Sequence, residues 1–415
     1  MLKEQQTIQK QLLYGIVNIM ETLKIKNFFP VADADIEIKP LTVFIGESAS
    51  GKSVILKLLS LFRWIHKKVS LRELSKKVGK NDERFRIEKM LRDSGLEDFC
   101  VKGSIAEYTT DDFYARIACN GKLQLKTNWL NKKNPFTLEK IAFVPDDRFS
   151  IPLLLNNQLR VITIPFHLEK TFEDFRVAFD ALSAEKKVKI ETFNVELLRE
   201  KYGIQHRFFI KNQGGAKTQL HNASSGMKSV STIEVIAQHF ANDKEYVESG
   251  LNNYVVSLFS KLKEKDPAAF VNKIKKAEFN KPRFSLFIEE PELSLFPDSQ
   301  KTLLEYLVRL CFNQSEKDIQ LAFSTHSPYI LSMLNALLLA HQIGTAGDVA
   351  QKEKVCQIVP ENLWLDVQKF NAYIIKNGRA ERIIDEENSL RAEEIDGASE
   401  EIDNIIDRLF EVQYP

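Results

Sequence analysis

The feature that most constrains this chain is the apolar run Leu41–Ile45 (LTVFI) leading into Gly46-Glu47-Ser48-Ala49-Ser50-Gly51-Lys52-Ser53. Helix-like sequence follows from Ser53 to Trp64. The spacing fits GxxxxGK[ST], a strand–loop–helix unit whose glycines let backbone N–H groups turn inward around phosphates. In that unit a lysine at position 52 reaches the β- and γ-phosphates, and a serine at position 53 ligates Mg²⁺. A chance glycine-rich turn would need neither the preceding strand nor the following helix.

Two more runs are apolar throughout, Phe284–Ile288 (FSLFI) and Ile319–Ser324 (IQLAFS), as suits parallel strands buried on both faces. The first ends in Glu289-Glu290. Hydrolysis of a P-loop nucleotide needs one acid near Mg²⁺ and one base for the attacking water. Glu289 fits the first task and Glu290 the second, whereas in isolation the pair reads as a solvated acidic loop. The second run continues into Thr325-His326-Ser327-Pro328. That puts His326 at the carboxyl end of a strand, where α/β sheets bind ligands, and a histidine there can contact and sense a γ-phosphate.

Far from both lies HNASSGMKSV, His221–Val230, with Ser224-Ser225-Gly226 at the mouth of a helix. A hydroxyl, free N–H groups and a positive dipole end converge there, which suits phosphate. A plain serine N-cap has the same wording. One chain seldom needs two γ-phosphate sites for one nucleotide. A dimer does, if each protomer caps the nucleotide held by its partner.

The length, 415 residues, allows two or three domains or one large α/β domain with insertions. With 58 basic and 57 acidic residues, the chain shows no global sign of a dedicated nucleic-acid binder. Local patches at Lys67-Lys68, Lys76-Lys77 and Lys186-Lys187-Lys189 keep nucleic acid open as a partner. Cys100, Cys119, Cys311 and Cys356 are scattered, so neither a zinc site nor a disulfide framework is indicated. No apolar run approaches the ~18 residues of a spanning helix, and the start lacks signal-peptide features. A cytoplasmic protein without a membrane segment is therefore expected.

We divide the chain into an extension (1–19), with Met20 as a candidate natural start, and one domain (20–415). Within it we expect a helical insert at about 66–100, broken near Gly79. An antiparallel sheet at 101–145, turning at Asn120-Gly121, should follow. A second helical insert is expected at about 165–200, then two strands joined at Gly214-Gly215. A signature helix and helical lobe should occupy about 222–278. A hairpin at Asn377-Gly378 and an acidic terminal helix should fill about 370–415.

The set GESASGKS, ASSGMKS, FSLFIEEPE and STHSP, in that order, resembles the ABC-type ATPase head. The phrasing EEPELSLFPDSQ and STHSPYIL, with METLKIKNF before the P-loop, is similar to stand-alone bacterial ATPases grouped with OLD proteins and with SMC- and RecF-like heads. The resemblance implies an α/β, ABC-type P-loop NTPase head with a mixed core sheet, an antiparallel β subdomain and helical insertions. It implies ATP and Mg²⁺ as ligands, with Ser53 and Glu289 on the metal. Glu290 and His326 would be catalytic, and Gly46 to Ser53 would wrap the nucleotide. It also implies a head-to-tail homodimer or higher oligomer, in which Ser224, Ser225 and Gly226 contact the γ-phosphate in trans. Glu292 to Pro297 would form a loop crossing that interface.

Ser225 stands where many such signatures have glycine, Glu289 where most have aspartate, and Ser294 and Phe296 where close relatives have histidines. No clear Q-loop is readable. Phe143-Val-Pro-Asp-Asp-Arg148 resembles a family segment hxPxxR, so Arg148 belongs either near the active site or in a surface salt bridge. After Leu331 no DxD-plus-glutamate Toprim pattern and no HNH-type cluster is found. By analogy with PARIS- and Septu-type anti-phage systems, the chain reads as a sensor and scaffold for a separately encoded nuclease or toxin. The alternative is a RecF-like repair ATPase that clamps DNA.

Overall fold

Leu41–Ile45 is buried on both faces because it becomes an inner strand. Leu41, Val43 and Ile45 enter one hydrophobic core, and Phe44 enters a second on the opposite face. The computed structural model describes residues 21–78, 85–120, 122–129, 137–155, 163–182, 187–202, 205–242, 280–312 and 318–391. Strands β1 (Glu21–Phe28), β2 (Val31–Ile38) and β3 (Leu41–Ile45) lead into helix α1 (Lys52–Val78). After α2 (Ile87–Asp93) come β4 (Ile105–Thr109), β5 (Phe113–Cys119), β6 (Leu123–Trp129) and β7 (Glu139–Val144). Helices α3 (Ile151–Leu155) and α4 (Phe166–Leu182) precede β8 (Lys187–Ile190), β9 (Val195–Tyr202), β10 (Gln205–Lys211) and β11 (Lys217–Gln219). Then follow α5 (Ser225–Asn242), β12 (Arg283–Glu289), α6 (Pro297–Phe312), β13 (Asp318–Thr325), α7 (Pro328–Ala346) and α8 (Val349–Ile358). The strands β14 (Phe370–Lys376) and β15 (Arg379–Arg382) close the described fold.

Eleven strands form one mixed sheet in the order β6-β5-β4-β1-β2-β15-β14-β3-β13-β12-β7. The run β14, β3, β13, β12 and β7 is parallel, and β1, β2, β4, β5 and β6 pair antiparallel. The architecture is thus α/β, with a mixed sheet and an antiparallel flank. β12 and β13 alternate as β3 does. Phe284, Leu286, Ile288, Leu321 and Phe323 face one core, and Phe287 and Ala322 face the other. Because these strands run in parallel, their carboxyl ends align at one edge. β14 and β15 form the expected hairpin, with Asn377 at φ 52° and Gly378 at φ 73°, as a two-residue primed turn requires.

Several expectations are corrected. The insert at about 165–200 is helical only to Leu182. Val188, Ile190, Val195 and Leu197 are buried at a period of two and form a hairpin that joins β10 and β11 in a four-stranded sheet. The hairpin turn is locked from outside, since buried Glu234 on α5 accepts from the Glu191 and Thr192 amides at 2.6 and 2.9 Å. The segment starting at 66 is no separate insert, because α1 runs unbroken from the P-loop to Val78. By length and mean hydropathy α7 would pass as a membrane span. Its buried Ile330, Leu331, Leu334, Leu337 and Leu338 instead pack into the core. Residues 1–20, Gly79, Gly121, the lobe beyond Asn242 and the acidic terminal helix lie outside the described residues.

Candidate functional site

The carboxyl ends of β3, β12 and β13, adjacent in the sheet, bring three sequence candidates together. After β3 the chain turns through Gly46 (φ 144°), Ala49 (φ 62°) and Gly51 (φ 109°) before α1 begins. Gly46 is needed for space as well as torsion. A Cβ there would stand 2.5 Å from the Ile375 carbonyl oxygen on β14. Lys52 is buried and donates from Nζ to the carbonyls of Gly46 and Glu47, each at 2.6 Å. Burial lowers its pKa, and Glu290, Glu292 and Glu47 act against that. Glu47, Ser48 and Ala49 are exposed at the loop tip, and the Ser50 hydroxyl is buried without a partner. A buried cation and an unpaired hydroxyl in one loop suit a phosphate group.

Glu289 is 2 % exposed at the end of β12. Its Oε2 accepts from the Asp146 amide at 3.4 Å, and its Oε1 lacks a hydrogen-bond partner, with Lys57 Nζ 3.4 Å away. Desolvation raises its pKa, Lys57 opposes this, Asp146 adds to it, and the Ser53 hydroxyl opposes it by hydrogen bonding. A buried carboxylate oxygen with spare capacity beside a serine hydroxyl suits a divalent cation. Ser53 and Glu289 are the residues that would hold Mg²⁺.

Because this carboxyl is raised, its protonated form stabilises the fold. That contribution is present at low pH and is lost as pH rises through the shifted value. Above that value the carboxylate is a net penalty in protein without metal. Glu289→Gln is therefore expected to raise the melting temperature measured without Mg²⁺ and ATP, and to weaken Mg²⁺-dependent ATP binding. The thermal gain should shrink in acidic buffer. A melting temperature equal to or below wild type at pH 7 would contradict this account.

Glu290 follows in the left-handed region at φ 46°, rare for a residue with a Cβ. Its Oε1 lies 2.6 Å from His326 Nε2, and His326 Nδ1 lies 3.3 Å from the Gly46 carbonyl. His326 thus connects the candidate base to the P-loop. Glu292 accepts from Thr325 Oγ1 and the His326 amide at 2.7 and 2.8 Å, pinning the segment after the carboxylate pair to the end of β13.

Arg148 is fully buried, so the surface salt-bridge reading is wrong. Its guanidinium donates to the carbonyls of Pro145, Glu289 and Glu290 at 2.9, 2.6 and 2.5 Å, and to Ser229 Oγ on α5 at 2.7 Å. Burial pulls its pKa down to about 10, which leaves it charged at neutral pH. Sequence reasoning missed Lys57 and Ser229. Each lies four residues beyond a serine already singled out (Ser53, Ser225), on the same helix face one turn on, and that spacing was the available signal.

Ser224 and Ser225 are exposed at the start of α5, where Ser224 Oγ accepts from the Met227 amide at 3.2 Å. Gly226 is buried against the loop after β12, where a Cβ would lie 2.7 Å from the Ser294 carbonyl oxygen. Among the described residues no hydrogen bond joins Ser224, Ser225 or Gly226 to the P-loop. The serine turn thus faces solvent while its glycine abuts Glu292–Pro297, in which Phe296 is 74 % exposed.

Three comparisons with known proteins bear on this geometry. A family model described as "AAA ATPase domain" matches residues 19–99 and 156–331. A comparison with curated proteins returns no match. Among solved structures, the chain is similar to the SMC head domain from Thermotoga maritima, at 12 % identity and TM-score 0.34, covering 88 % of this chain and 98 % of that one. A Pyrococcus furiosus Smc head domain bound to the C-terminal domain of ScpA aligns at 11 % identity and TM-score 0.37, over 92 % and 99 %. An ATP-binding cassette bound to ADP and Pi in a dimeric post-hydrolysis state aligns at 12 % identity and TM-score 0.28, over 87 % and 97 %.

Proposed function

The chain belongs to the AAA ATPase domain family, and from that premise we propose that it works as an ABC-type head which dimerises around ATP and controls a separate effector. Hydrolysis of ATP is the family's reaction. The observation that carries the reading is the convergence of Lys52, Glu289, Glu290 and His326 at one sheet edge, while the Ser224-Ser225 turn stays exposed. In this reading Gly46 to Ser53 hold the triphosphate, with Lys52 leaving the loop carbonyls for the phosphates. Bound at Ser53 and Glu289, Mg²⁺ supplies charge neutralisation. Glu290 orients and deprotonates the attacking water, and His326 holds Glu290 in place. Ser224, Ser225 and Gly226 close over the γ-phosphate of the partner protomer, and exposed Phe296 lies in the loop expected at the junction.

The regulatory half rests on the motif wording, which resembles the stand-alone heads of anti-phage systems. The test is to tag the chain, express it with its neighbouring genes, and purify with and without ATP. Light scattering is expected to show an ATP-dependent dimer, lost in Lys52→Ala and in Ser224→Arg. A nuclease- or toxin-like protein should co-purify in stoichiometric amount. A homodimer that instead retains DNA, with affinity falling steeply as salt rises, would favour the DNA-clamp reading.

A further inference from the structure

Helix α7 carries no Asp, Glu, Lys or Arg from Pro328 to Ala346. One face is buried in the core, yet the other is largely apolar as well. Tyr329, Ser332, Ala336, Leu339, Ile343 and Ala346 are exposed. They recur every three or four residues, so they form one stripe along the helix. Tyr329, Leu339 and Ile343 are 57, 48 and 44 % exposed. A surface helix ordinarily turns charged or polar residues outward, and an uncharged apolar stripe marks a contact surface.

The course of the chain points to what covers it. Beyond β15 the chain folds back on itself, with the Arg391 amide donating to the Ile383 carbonyl at 3.0 Å. Helix α7 holds this return on one flank of the stripe. Asn335 Oδ1 accepts from the Leu390 amide at 2.9 Å, and Gln342 Nε2 donates to the Glu387 carbonyl at 2.6 Å. Leu339 lies one helical turn from each of these two residues. Arg391 is therefore beside the stripe, and residues 392–415 follow from there. Their sequence has eight acidic residues against one basic, so the segment as a whole does not suit burial. Ile402, Ile405, Ile406, Leu409 and Phe410, however, recur at helical spacing. That pattern offers an apolar side to an uncharged stripe and leaves the carboxylates in water. Reach is sufficient. Ten residues, 392–401, separate Arg391 from Ile402, and fully extended they span up to roughly 35 Å. The stripe is roughly 26 Å long, at about 1.5 Å per residue.

We propose that residues 402–410 dock along this stripe of α7 in the same chain, apolar side inward. Tethering favours this occupant over a free partner, because a short linker holds the segment at an effective concentration in about the millimolar range. The inference goes beyond the proposed ATPase cycle and does not depend on it. It bears on that cycle through position. The stripe starts three residues after His326, and α7 is capped by Ser327, whose Oγ accepts from the Ile330 amide at 3.4 Å. A segment lying along α7 thus braces the helix that leaves the candidate site.

The test places a photo-activated benzophenone side chain at position 339 of the full chain, without nucleotide, and maps the cross-linked peptides by mass spectrometry. Leu339 is exposed, so the change spares the core. Mixing isotope-labelled and unlabelled protein separates products within one chain from products between chains. The main product is expected to join position 339 to residues 402–410 within one chain. The same group in place of Lys122, exposed just ahead of the edge strand β6, should not give it. Ile405→Asp combined with Leu409→Asp should abolish it. Leu339→Asp should lower the melting temperature by about 2 °C or more, which a charge on a side chain left in water would not do. Adding Leu409→Asp should lower it little further, because both changes remove one contact. A product joining position 339 to α7 of a second copy, or to residues 402–410 of another chain, would overturn the proposal and give the surface to self-association. Absence of any product with residues 402–410, or a melting temperature unmoved by Leu339→Asp and by Leu409→Asp, would also overturn it.

Discussion

Glu290→Gln should lower the rate of ATP hydrolysis by about 10²–10⁴-fold, the usual cost of losing a positioned general base, while ATP binding persists. The substitution keeps the size of the side chain and an oxygen near His326 Nε2. The P-loop, Lys52 and the Ser53–Glu289 pair are untouched, so the phosphate cradle stays intact. What is lost is the carboxylate that can take a proton from water. With binding retained and turnover blocked, the ATP-bound dimer should accumulate and be isolable by size-exclusion chromatography. His326→Ala tests the supporting contact. It leaves the carboxylate but removes its link to the Gly46 carbonyl, so kcat should fall by less than in Glu290→Gln, with little change in KM. A Glu290→Gln protein that turns over ATP at the wild-type rate would remove Glu290 from the role of base and leave the φ 46° backbone at that position without its functional explanation.

The parts of this site legible in the sequence are those whose chemistry is local. GESASGKS states its own torsions and charge, and LTVFI and FSLFI announce inner strands because no position in them tolerates water. The Glu289-Glu290 pair could be placed because it ends such a strand. Arg148 was only half legible, left between the active site and a surface salt bridge, for the opposite reason. In PDDRFS it sits among acidic neighbours that suit a solvated loop, and its partners at Glu289 and Glu290 are 141 and 142 positions away. Only the parallel pairing of β7 with β12 brings them together. The misread stretch after Leu182 fails on period. KVKI and VELL are too short to announce alternation against the amphipathic helix before them, and the buried Glu234 that fixes their turn comes from another element. The serine turn at Ser224 was legible as a helix start. That no hydrogen bond joins it to its own P-loop among the described residues needed the fold.

Arg148→Ala should destabilise the protein by about 3–5 kcal/mol, the range for breaking a buried charged contact, and should lower kcat in whatever fraction folds. The guanidinium is the donor for three carbonyls and for Ser229 Oγ, and an alanine leaves those acceptors in a dry site. Two of the carbonyls belong to the candidate metal ligand and the candidate base. Glu290 keeps its left-handed backbone while Arg148 holds its carbonyl, so releasing it should let the base move. Arg148→Lys separates charge from geometry. A lysine keeps one positive charge but cannot span from Ser229 to the Glu290 carbonyl as a planar fork does. It should recover part of the stability and little of the turnover. Ser229→Ala cuts only the connection to α5. It should cost about 1 kcal/mol and leave ATP affinity unchanged, yet weaken the dependence of hydrolysis on protein concentration, because the exposed Ser224-Ser225 turn rides on the same helix. If Arg148→Lys and Ser229→Ala both match wild type in kcat and in concentration dependence, Arg148 is a structural residue alone, and the link between the serine turn and the carboxylates must run through the packing of Gly226 on the Ser294 carbonyl.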